Sequence, residues 1–390
     1  MKKVLKYISG LCSLVMIALV SCNTEEDVQP KTGESFIRLI PGQGSDNPVA
    51  MTPLADGSIL LVSNTIIFEE QVSMNKIRLV KMNTAGEVVL EKSYPSGEEN
   101  WSAKNISVRN NSILVAGNSS TLNDSTGLLF FKVNLQLDSI GTLQLREPGE
   151  IISMNGIGEG DENDILFLAS VRDAKGNNKA LGSVNYENLS ITWVKRDNKR
   201  SSPTTSILPF EENQLAWGVQ ANNYSEIVRT DTSLLQSQSV FVQIPGSSAV
   251  QAKSLFAQPQ NEMMIFGEAN FNTGRRIFFF NTSTGLKGTF AEEGNITLNN
   301  AHKVEGAYLL CGAAEIGLAE NNTFQKDFLL IKTDESGREM FRKSFGSSNN
   351  EELFDAFMIE NRIYAVGSTS FGGVNTLLLM KMTNKGELLN

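Results

Sequence analysis

The stretch FLLIKTDESGREMFRKSFG, at Phe328–Gly346, decides the fold. Its first six residues, Phe328–Thr333, are mostly apolar and favour a β-strand, and Asp334–Gly337 consists of residues that favour a tight turn. The following residues, Arg338–Phe345, alternate between polar and apolar side chains, as a second strand with one buried face does. The stretch therefore predicts a β-hairpin.

The pattern of this hairpin recurs along the chain. In each copy, an apolar strand runs into a small residue, and a second apolar strand then leads into a turn. The small residues follow one another at steps of 45 to 55 residues. They are Ser63, Gly117, Ala169, Gly218, Gly267, Gly312 and Gly367. Repeats of this length, with room for four strands each, are typical of a β-propeller. We therefore predict an all-β fold, a seven-bladed β-propeller of four-stranded antiparallel blades.

The two ends of the repeat region complement each other. The chain stops soon after the third strand of the last repeat, Leu379–Thr383, whereas Phe36–Ile40 has the pattern of a fourth strand without a repeat of its own. Pairing these two segments would complete the last blade and cover an exposed sheet edge. We therefore predict that the N-terminal strand closes the ring.

The N-terminus has the pattern of a targeting segment. Three lysines, at positions 2, 3 and 6, precede an apolar run at Ile8–Val20, which is too short for a comfortable membrane span. The run ends in Leu19-Val20-Ser21-Cys22, which resembles a bacterial lipobox. We predict a signal peptide at residues 1–21, a lipid anchor on Cys22 that attaches the protein to a membrane, an acidic tether at 22–34 and a single propeller domain at 35–390.

The residues after Cys22 bear on localisation. Glu25-Glu26-Asp27 resembles the acidic signal that sends lipoproteins of the Bacteroidota to the outer face of the outer membrane. A plain solvated tether is the alternative interpretation. The expected location is the outer membrane, with the protein facing the cell surface.

The repeat itself resembles that of propeller lipoproteins from the Bacteroidota. The shared pattern is an apolar strand into Gly-Asn or Gly-Ser, as at Gly117-Asn118 and Gly367-Ser368, and a later strand into Phe-Gly, as at Phe345-Gly346. The resemblance covers residues 35–390 and is strongest in the first two and the last two repeats. This family is mostly uncharacterised, so the resemblance implies a fold and a location but no activity.

Charge and cysteine content exclude several classes of function. The formal net charge is −9, and removal of residues 1–21, with three lysines and no acids, would bring it to −12. Such a chain is a poor ligand for polyanions, so nucleic acid is not an expected partner. Cys12 would leave with the signal peptide and Cys22 would carry lipid, so Cys311 alone remains. An intrachain disulfide or a cysteine metal site is therefore excluded, and we expect no cofactor.

Candidate catalytic residues are scarce. The chain has one histidine, His302, which we interpret as a structural residue with satisfied hydrogen bonds, a role in proton transfer being the alternative. Carboxylate doublets such as Glu98-Glu99 and Glu351-Glu352 fall mainly at turns. An enzyme that acts on polysaccharide, a glycoside hydrolase or lyase, would need a carboxylate pair in the central funnel. We keep this as the alternative function.

The loop face is where we expect ligands to bind. Trp101 is the aromatic residue expected to be exposed there, and with Glu99 and Asn100 it could stack on a sugar or anchor a protein. Asn47 belongs to a between-blade loop on the same face. The alternative is that Trp101 begins an inner strand and packs between blades. The leading prediction is a binding or scaffold subunit whose partner is a protein of an outer-membrane complex or a glycan.

Overall fold

The computed structural model describes residues 35–388, apart from 70–71, 122–125, 148–149, 161–162, 175, 198–202, 210–213, 222, 232–236, 291–293, 318–323 and 372. Ser35–Asn390 form one compact unit. The predicted signal peptide, Cys22 and the tether lie outside the described residues. Within the described part of the chain, no helix has the length and apolar character needed to cross a membrane.

The strands form seven sheets of four, and the chain enters them in order. After β1 (Phe36–Ile40), blade 1 contains β2 (Ser45–Pro53), β3 (Ile59–Glu69), β4 (Val72–Met82) and β5 (Val88–Tyr94). Blade 2 contains β6 (Asn100–Arg109), β7 (Ser112–Ser120), β8 (Thr126–Asn134) and β9 (Ser139–Leu145). Blade 3 contains β10 (Ile151–Glu159), β11 (Asp164–Asp173), β12 (Gly176–Asn185) and β13 (Ile191–Asp197). Blade 4 contains β14 (Leu208–Pro209), β15 (Gln214–Gln220), β16 (Ser225–Asp231) and β17 (Ser237–Val242).

The remaining blades follow the same scheme. Blade 5 contains β18 (Ala249–Gln258), β19 (Glu262–Phe271), β20 (Gly274–Asn281) and β21 (Lys287–Phe290), with a short 3-10 helix at Pro259–Asn261. Blade 6 contains β22 (Asn295–Val304), β23 (Ala307–Gly317), β24 (Phe324–Asp334) and β25 (Glu339–Phe345). Blade 7 contains β26 (Glu351–Ile359), β27 (Arg362–Phe371) and β28 (Val374–Thr383), and β1 is its fourth strand. The prediction of a seven-bladed, all-β propeller is confirmed.

Strand β1 closes the ring as predicted. It pairs antiparallel with β28, with Phe36 opposite Lys381 and Ile40 opposite Leu377. The chain then passes directly from the outer edge of blade 7 to the inner strand of blade 1. The first and last strands of the repeat region are therefore held in one sheet.

The apolar cores lie between neighbouring blades. In one of them, Leu60 and Val62 of blade 1 pack with Val115 and Phe131 of blade 2. Each blade buries both faces of its middle strands against its two neighbours, which is why those strands are continuously apolar rather than alternating. Burial of this surface is what holds the blades in a ring.

A β-bulge explains the periodic small residues. Six of the seven inner strands shift register by one residue next to the small position of the second strand. At that point the inner strand bends over its neighbour. A Cβ atom on Gly312 would lie 1.7 Å from the carbonyl oxygen of Thr297, and one on Gly117 would lie 1.9 Å from that of Ser102. A larger residue there would collide with backbone.

In blades 1 and 2, the asparagine that follows the small residue joins adjacent blades. The Oδ1 atom of Asn64 accepts a hydrogen bond from the backbone N–H of Ala103 at 2.7 Å, and its Nδ2 donates to the carbonyl of the same residue at 3.0 Å. Asn118 makes the corresponding contacts with Met154 and Ile152 of blade 3, at 3.2 and 2.9 Å. These amides satisfy backbone groups of the next inner strand, which is the edge strand of its sheet.

Candidate functional site

A channel of about 880 Å³ runs between the inner strands, and residues of all seven blades line it. Because six of the seven inner strands carry a bulge next to the small residue of the second strand, the bulged residues lie in one ring. They are Val49, Lys104, Asn155, Lys253, Asn299 and Phe354, and all six line the channel. A bulge redirects the side chain of the extra residue. The channel lining is therefore a direct product of the bulges.

Most of the lining can form hydrogen bonds. Side-chain amides include those of Asn47, Asn105, Asn155, Gln251 and Asn299. Lys104, Lys253 and His302 supply positive or titratable nitrogens. Of the described residues that line the channel, only Asp355 carries a carboxyl group.

Asp355 holds three blades together and is itself fully engaged. Its side chain is 1% exposed, and Oδ2 accepts a hydrogen bond from the backbone N–H of Met51 in blade 1 at 2.7 Å. Oδ1 accepts from Nδ2 of Asn300 in blade 6 at 3.1 Å and forms an ion pair with Nε2 of His302. The residue before the bulge is Ala103 in blade 2 and Pro48 in blade 1. Pro48 has no N–H, so it cannot donate a hydrogen bond to the preceding blade as Ala103 does to Asn64. The hydrogen bond between Met51 and Asp355 joins blade 7 to blade 1 instead.

His302 faces the channel while Asp355 holds its ring. The side chain is 37% exposed to the channel but is enclosed by surrounding blades. Burial by itself would lower the pKa of His302, but the negative charge and hydrogen bond of Asp355 outweigh it, so the pKa is raised above 6.5. The histidine has the partner expected of a structural residue, and its position on the channel also makes it available to a ligand.

Lys104 is the least compensated charge in the channel. No described residue forms a hydrogen bond or ion pair with its ammonium group. The side chain of Lys104 is exposed to the channel, but the blades around it remove part of its hydration. This desolvation lowers the pKa of Lys104, and the positive charge of Lys253 lowers it further. Lys253 differs, because Oε2 of Glu268 lies 3.7 Å from its Nζ.

A smaller pocket of about 210 Å³ adjoins the channel at blade 5. It shares Gln251 and Lys253 with the channel lining and adds Glu268 and Arg275. Glu268 is shared between two cations, since its Oε2 also lies 3.8 Å from Nη1 of Arg275. Its Oε1 accepts a hydrogen bond from the backbone N–H of Leu298 at 2.8 Å. The channel thus continues sideways into a pocket of polar side chains.

The structure corrects the expectation that Trp101 is exposed. Its side chain is 8% exposed and packs against Phe131, with ring centroids 5.3 Å apart. The indole Nε1 donates a hydrogen bond to Oε2 of Glu99 at 2.8 Å. Trp101 stands at the start of β6 and points into the core between blades 1 and 2, as the alternative interpretation holds.

The other three predicted binding residues divide between structure and channel. Glu99 accepts hydrogen bonds from Trp101 and from Gln144, and these two bonds lower its pKa. The Oδ1 atom of Asn100 accepts from the backbone N–H of Asn75 at 2.7 Å, which joins blade 2 to blade 1. Asn47 alone of the four lines the channel. The described bonds of Glu99 and Asn100 are thus made with neighbouring protein groups, and Asn47 faces the cavity.

The bulged residues are the part of the site that sequence reasoning missed. A signal for them exists, since each stands 13 or 14 residues before the small residue of its repeat. The position holds lysine in two repeats, Lys104 and Lys253, and asparagine in two others, Asn155 and Asn299. A scan for polar residues at this offset would find the ring.

Exposed apolar side chains occur on the loop face of three consecutive blades. Phe68 of blade 1, Ile316 of blade 6 and Val374 of blade 7 are 71%, 45% and 44% exposed. Each stands where a second or third strand meets the loop that joins them. They are candidates for contact with another protein.

Comparison with known proteins supports the fold. No protein-family model and no curated protein matches the sequence. An acylaminoacyl peptidase in complex with Z-Gly-Gly-Phe-chloromethyl ketone is similar in structure, with a TM-score of 0.52 and 11% identity over 91% of this chain and 53% of that one. This chain therefore spans about half the length of that peptidase. At this identity the similarity shows a shared fold and carries no information about activity.

Two other similar structures match over nearly their whole length. One is the β-propeller domain of the Trilobed protease from Pyrococcus furiosus, with a TM-score of 0.52 and 7% identity over 90% of this chain and 96% of that one. That domain is described as having an open velcro topology, whereas β1 closes the ring here. The other is the polysaccharide lyase Uly1, with a TM-score of 0.51 and 9% identity over 89% of this chain and 91% of that one. The propeller fold is thus supported by independent structures.

Proposed function

We propose that this protein is a binding protein, anchored to the outer membrane by lipid on Cys22, whose channel holds a carbohydrate. The polar channel carries this proposal. The channel is lined by side-chain amide and hydroxyl groups on a rigid scaffold. Such a lining suits a ligand rich in hydroxyl groups, because amides and hydroxyls both donate and accept hydrogen bonds. The resemblance of the repeat to surface lipoproteins of the Bacteroidota supports the proposed location.

Binding fits the channel better than glycoside hydrolysis does. Hydrolysis of a glycosidic bond ordinarily uses two carboxyl groups on opposite sides of the bond. Asp355 is the only carboxyl-bearing residue of the described lining, and its oxygens already accept bonds from Met51 and Asn300 and pair with His302. A second carboxyl group to complete the pair is not present in that lining.

A polysaccharide-acting enzyme remains the second candidate, and His302 is the observation that favours it. A histidine that faces a cavity while a buried carboxylate holds its ring is the arrangement of a general base. The similarity in fold to a polysaccharide lyase is compatible with this candidate. An enzyme of this kind would release products from polysaccharide and would lose that activity in His302→Gln.

The test of the binding proposal uses the full chain, purified in detergent. Binding to immobilised neutral and acidic oligosaccharides is measured first, and the same oligosaccharides are then incubated with the protein and analysed for cleavage. Saturable binding without cleavage is the expected result. Cleavage that depends on His302 would replace the proposal with the enzyme, and absence of binding to every oligosaccharide would refute a carbohydrate ligand.

The partner could instead be a protein that covers Phe68, Ile316 and Val374. Affinity purification from detergent-solubilised membranes tests this version. A partner present in equal amount with the wild type, and lost when Phe68→Ser and Val374→Ser are combined, would establish it. Labelling with radioactive palmitate, compared between the wild type and Cys22→Ala, tests the lipid anchor separately.

A further inference from the structure

Two lysines of the channel have no adequate counter-charge. Lys104 and Lys253 are the bulged residues of β6 and β18, and both line the channel. No described residue forms an ion pair with Lys104. Lys253 has only a distant contact with Glu268, which Arg275 shares.

The two positive charges repel each other, and Lys104, whose side chain is exposed to the channel, has no described anion to offset that repulsion. An ammonium group enclosed by protein loses part of its hydration, and it ordinarily recovers the loss from a hydrogen-bonded anion. The positive charge of Lys253 acts on Lys104 across the same channel instead, and the pKa of the Lys104 ammonium group is lowered by desolvation and by that charge. In a chain with a formal net charge of −9, carboxylates are abundant, yet none of the described ones reaches it.

The position of the two lysines is built into the fold. Both are aimed by a bulge that the neighbouring strand supports, at Gly117 for Lys104 and at Gly267 for Lys253. A bulge redirects the side chain of its extra residue, and the glycine on the neighbouring strand permits the close backbone approach at the bulge. Both lysine side chains therefore leave the backbone at positions on the channel wall that the fold determines.

We propose that Lys104 and Lys253 form a subsite for an anionic group, a carboxylate, sulfate or phosphate, on a ligand that enters the channel. The inference rests on the proposed carbohydrate-binding function and narrows it to acidic saccharides. An anion between the two ammonium groups would remove their mutual repulsion and supply the counter-charge that Lys104 lacks. The amides of Gln251 and Asn155 would hold neutral parts of the same ligand.

The test compares probes that differ in the source of the anion. Calorimetry on the full chain measures binding of a galacturonate oligosaccharide, a sulfated oligosaccharide, inorganic phosphate and a neutral oligosaccharide of the same length. The variants are Lys104→Met, Lys253→Met and the conservative Lys104→Arg. Lys287→Met, on the outer strand β21, is the matched control.

A second readout follows the lysine directly. Reductive methylation with carbon-13 gives one NMR signal for each lysine, and Lys104→Arg identifies the signal of Lys104. Binding of the correct anion should raise the pKa of Lys104 and leave that of Lys287 unchanged. This measurement works with inorganic ions as well as with saccharides.

The expected result is that an acidic oligosaccharide binds at least about tenfold more weakly to Lys104→Met and Lys253→Met. Lys104→Arg and Lys287→Met should bind within about threefold of the wild type, since both retain the charge in the channel. Which probe shows the effect identifies carboxylate, sulfate or phosphate as the anion.

Failure of the inference and failure of the proposed function give different results. Equal binding of neutral and acidic oligosaccharides, unaffected by Lys104→Met, overturns the anion subsite and leaves a carbohydrate-binding protein. If no oligosaccharide binds and no anion moves the Lys104 signal, both proposals are overturned. If phosphate alone binds and moves that signal, the subsite stands and the saccharide ligand does not.

Discussion

Arg78 is the residue whose loss should most weaken the closure of the ring. Its side chain is 2% exposed and reaches the segment between β1 and β2, where Nη2 donates to the carbonyl of Pro41 at 2.8 Å. Nη1 lies 2.7 Å from Oδ2 of Asp46, a fully buried carboxylate, and Nε lies 2.9 Å from Oε1 of Glu91. Nη1 also donates to the carbonyl of Ile40, the last residue of β1, at 3.4 Å, so one guanidinium joins the outer strand of blade 7 to blade 1.

The magnitude follows from what Arg78→Met leaves behind. Methionine fills much of the volume but offers no charge, so Asp46 remains buried without a cation. Removal of one partner of a buried ion pair costs about 3–5 kcal/mol. Glu91 is 40% exposed and can be solvated by water, so it should add little. We expect the free energy of unfolding to fall by about 3–5 kcal/mol.

The double variant Arg78→Met with Asp46→Asn separates charge from packing. If the unpaired carboxylate of Asp46 causes the loss of stability, an amide in its place should restore more than half of the free energy of unfolding that Arg78→Met loses. Arg38→Met on β1 is the matched control, because Arg38 is only partly buried and stacks over Phe36 at 5.7 Å. Such a contact is worth about 0.5–1 kcal/mol.

Urea unfolding followed by tryptophan fluorescence and circular dichroism gives these free energies. A loss below about 1 kcal/mol in Arg78→Met would refute the reasoning, since a stranded buried carboxylate costs several times that. A double variant no more stable than Arg78→Met would show that the lost packing, and not the charge, was responsible.

Three further predictions follow from the same structure. Gly312→Ala should destabilise the protein by about 1–3 kcal/mol in urea unfolding, because its Cβ would meet a backbone carbonyl, whereas Gly97→Ala, with open space around it, should not. The single histidine signal in the proton NMR spectrum should titrate with a pKa above 6.5, and this pKa should be lower in Asp355→Asn. The stability that the His302–Asp355 pair contributes should be complete below pH 6.5 and be lost as the pH rises through the folded-state pKa. A wild-type histidine pKa below 6.5 would contradict the ion pair. Trp101→Ala should lower the free energy of unfolding by about 3–5 kcal/mol, and an unchanged stability with lost ligand binding would restore the binding role first predicted for it.

Much of the fold is readable from the sequence because its signals are local. The hairpin at Phe328–Gly346 contains its own strands and turn, and its repetition sets the number of blades. The closing strand could be predicted because Phe36–Ile40 lacks a repeat of its own and the last repeat lacks a strand. The reason for the periodic small residue is not local, since the atom that excludes a side chain at Gly312 is the carbonyl oxygen of Thr297 on a neighbouring strand.

The site is much less readable, and β6 shows why. Trp101 and Lys104 stand three residues apart on one inner strand, and the sequence analysis named the tryptophan, with packing between blades as its alternative role, but did not name the lysine. The bulge between Ala103 and Asn105 changes which side chains face the axis, so simple alternation along the strand fails there. Trp101 enters the core between blades, and Lys104 enters the channel.

The sequence by itself determined the class, the number and the order of the blades, since hydrophobic period, turn residues and small residues are properties of short segments. Only the tertiary structure decided which polar residues share a cavity. Lys104 and Lys253 are 149 residues apart in the chain, and they line the same channel because seven sheets close around one axis. Proximity of that kind depends on the closed ring, and no short segment of the sequence contains it.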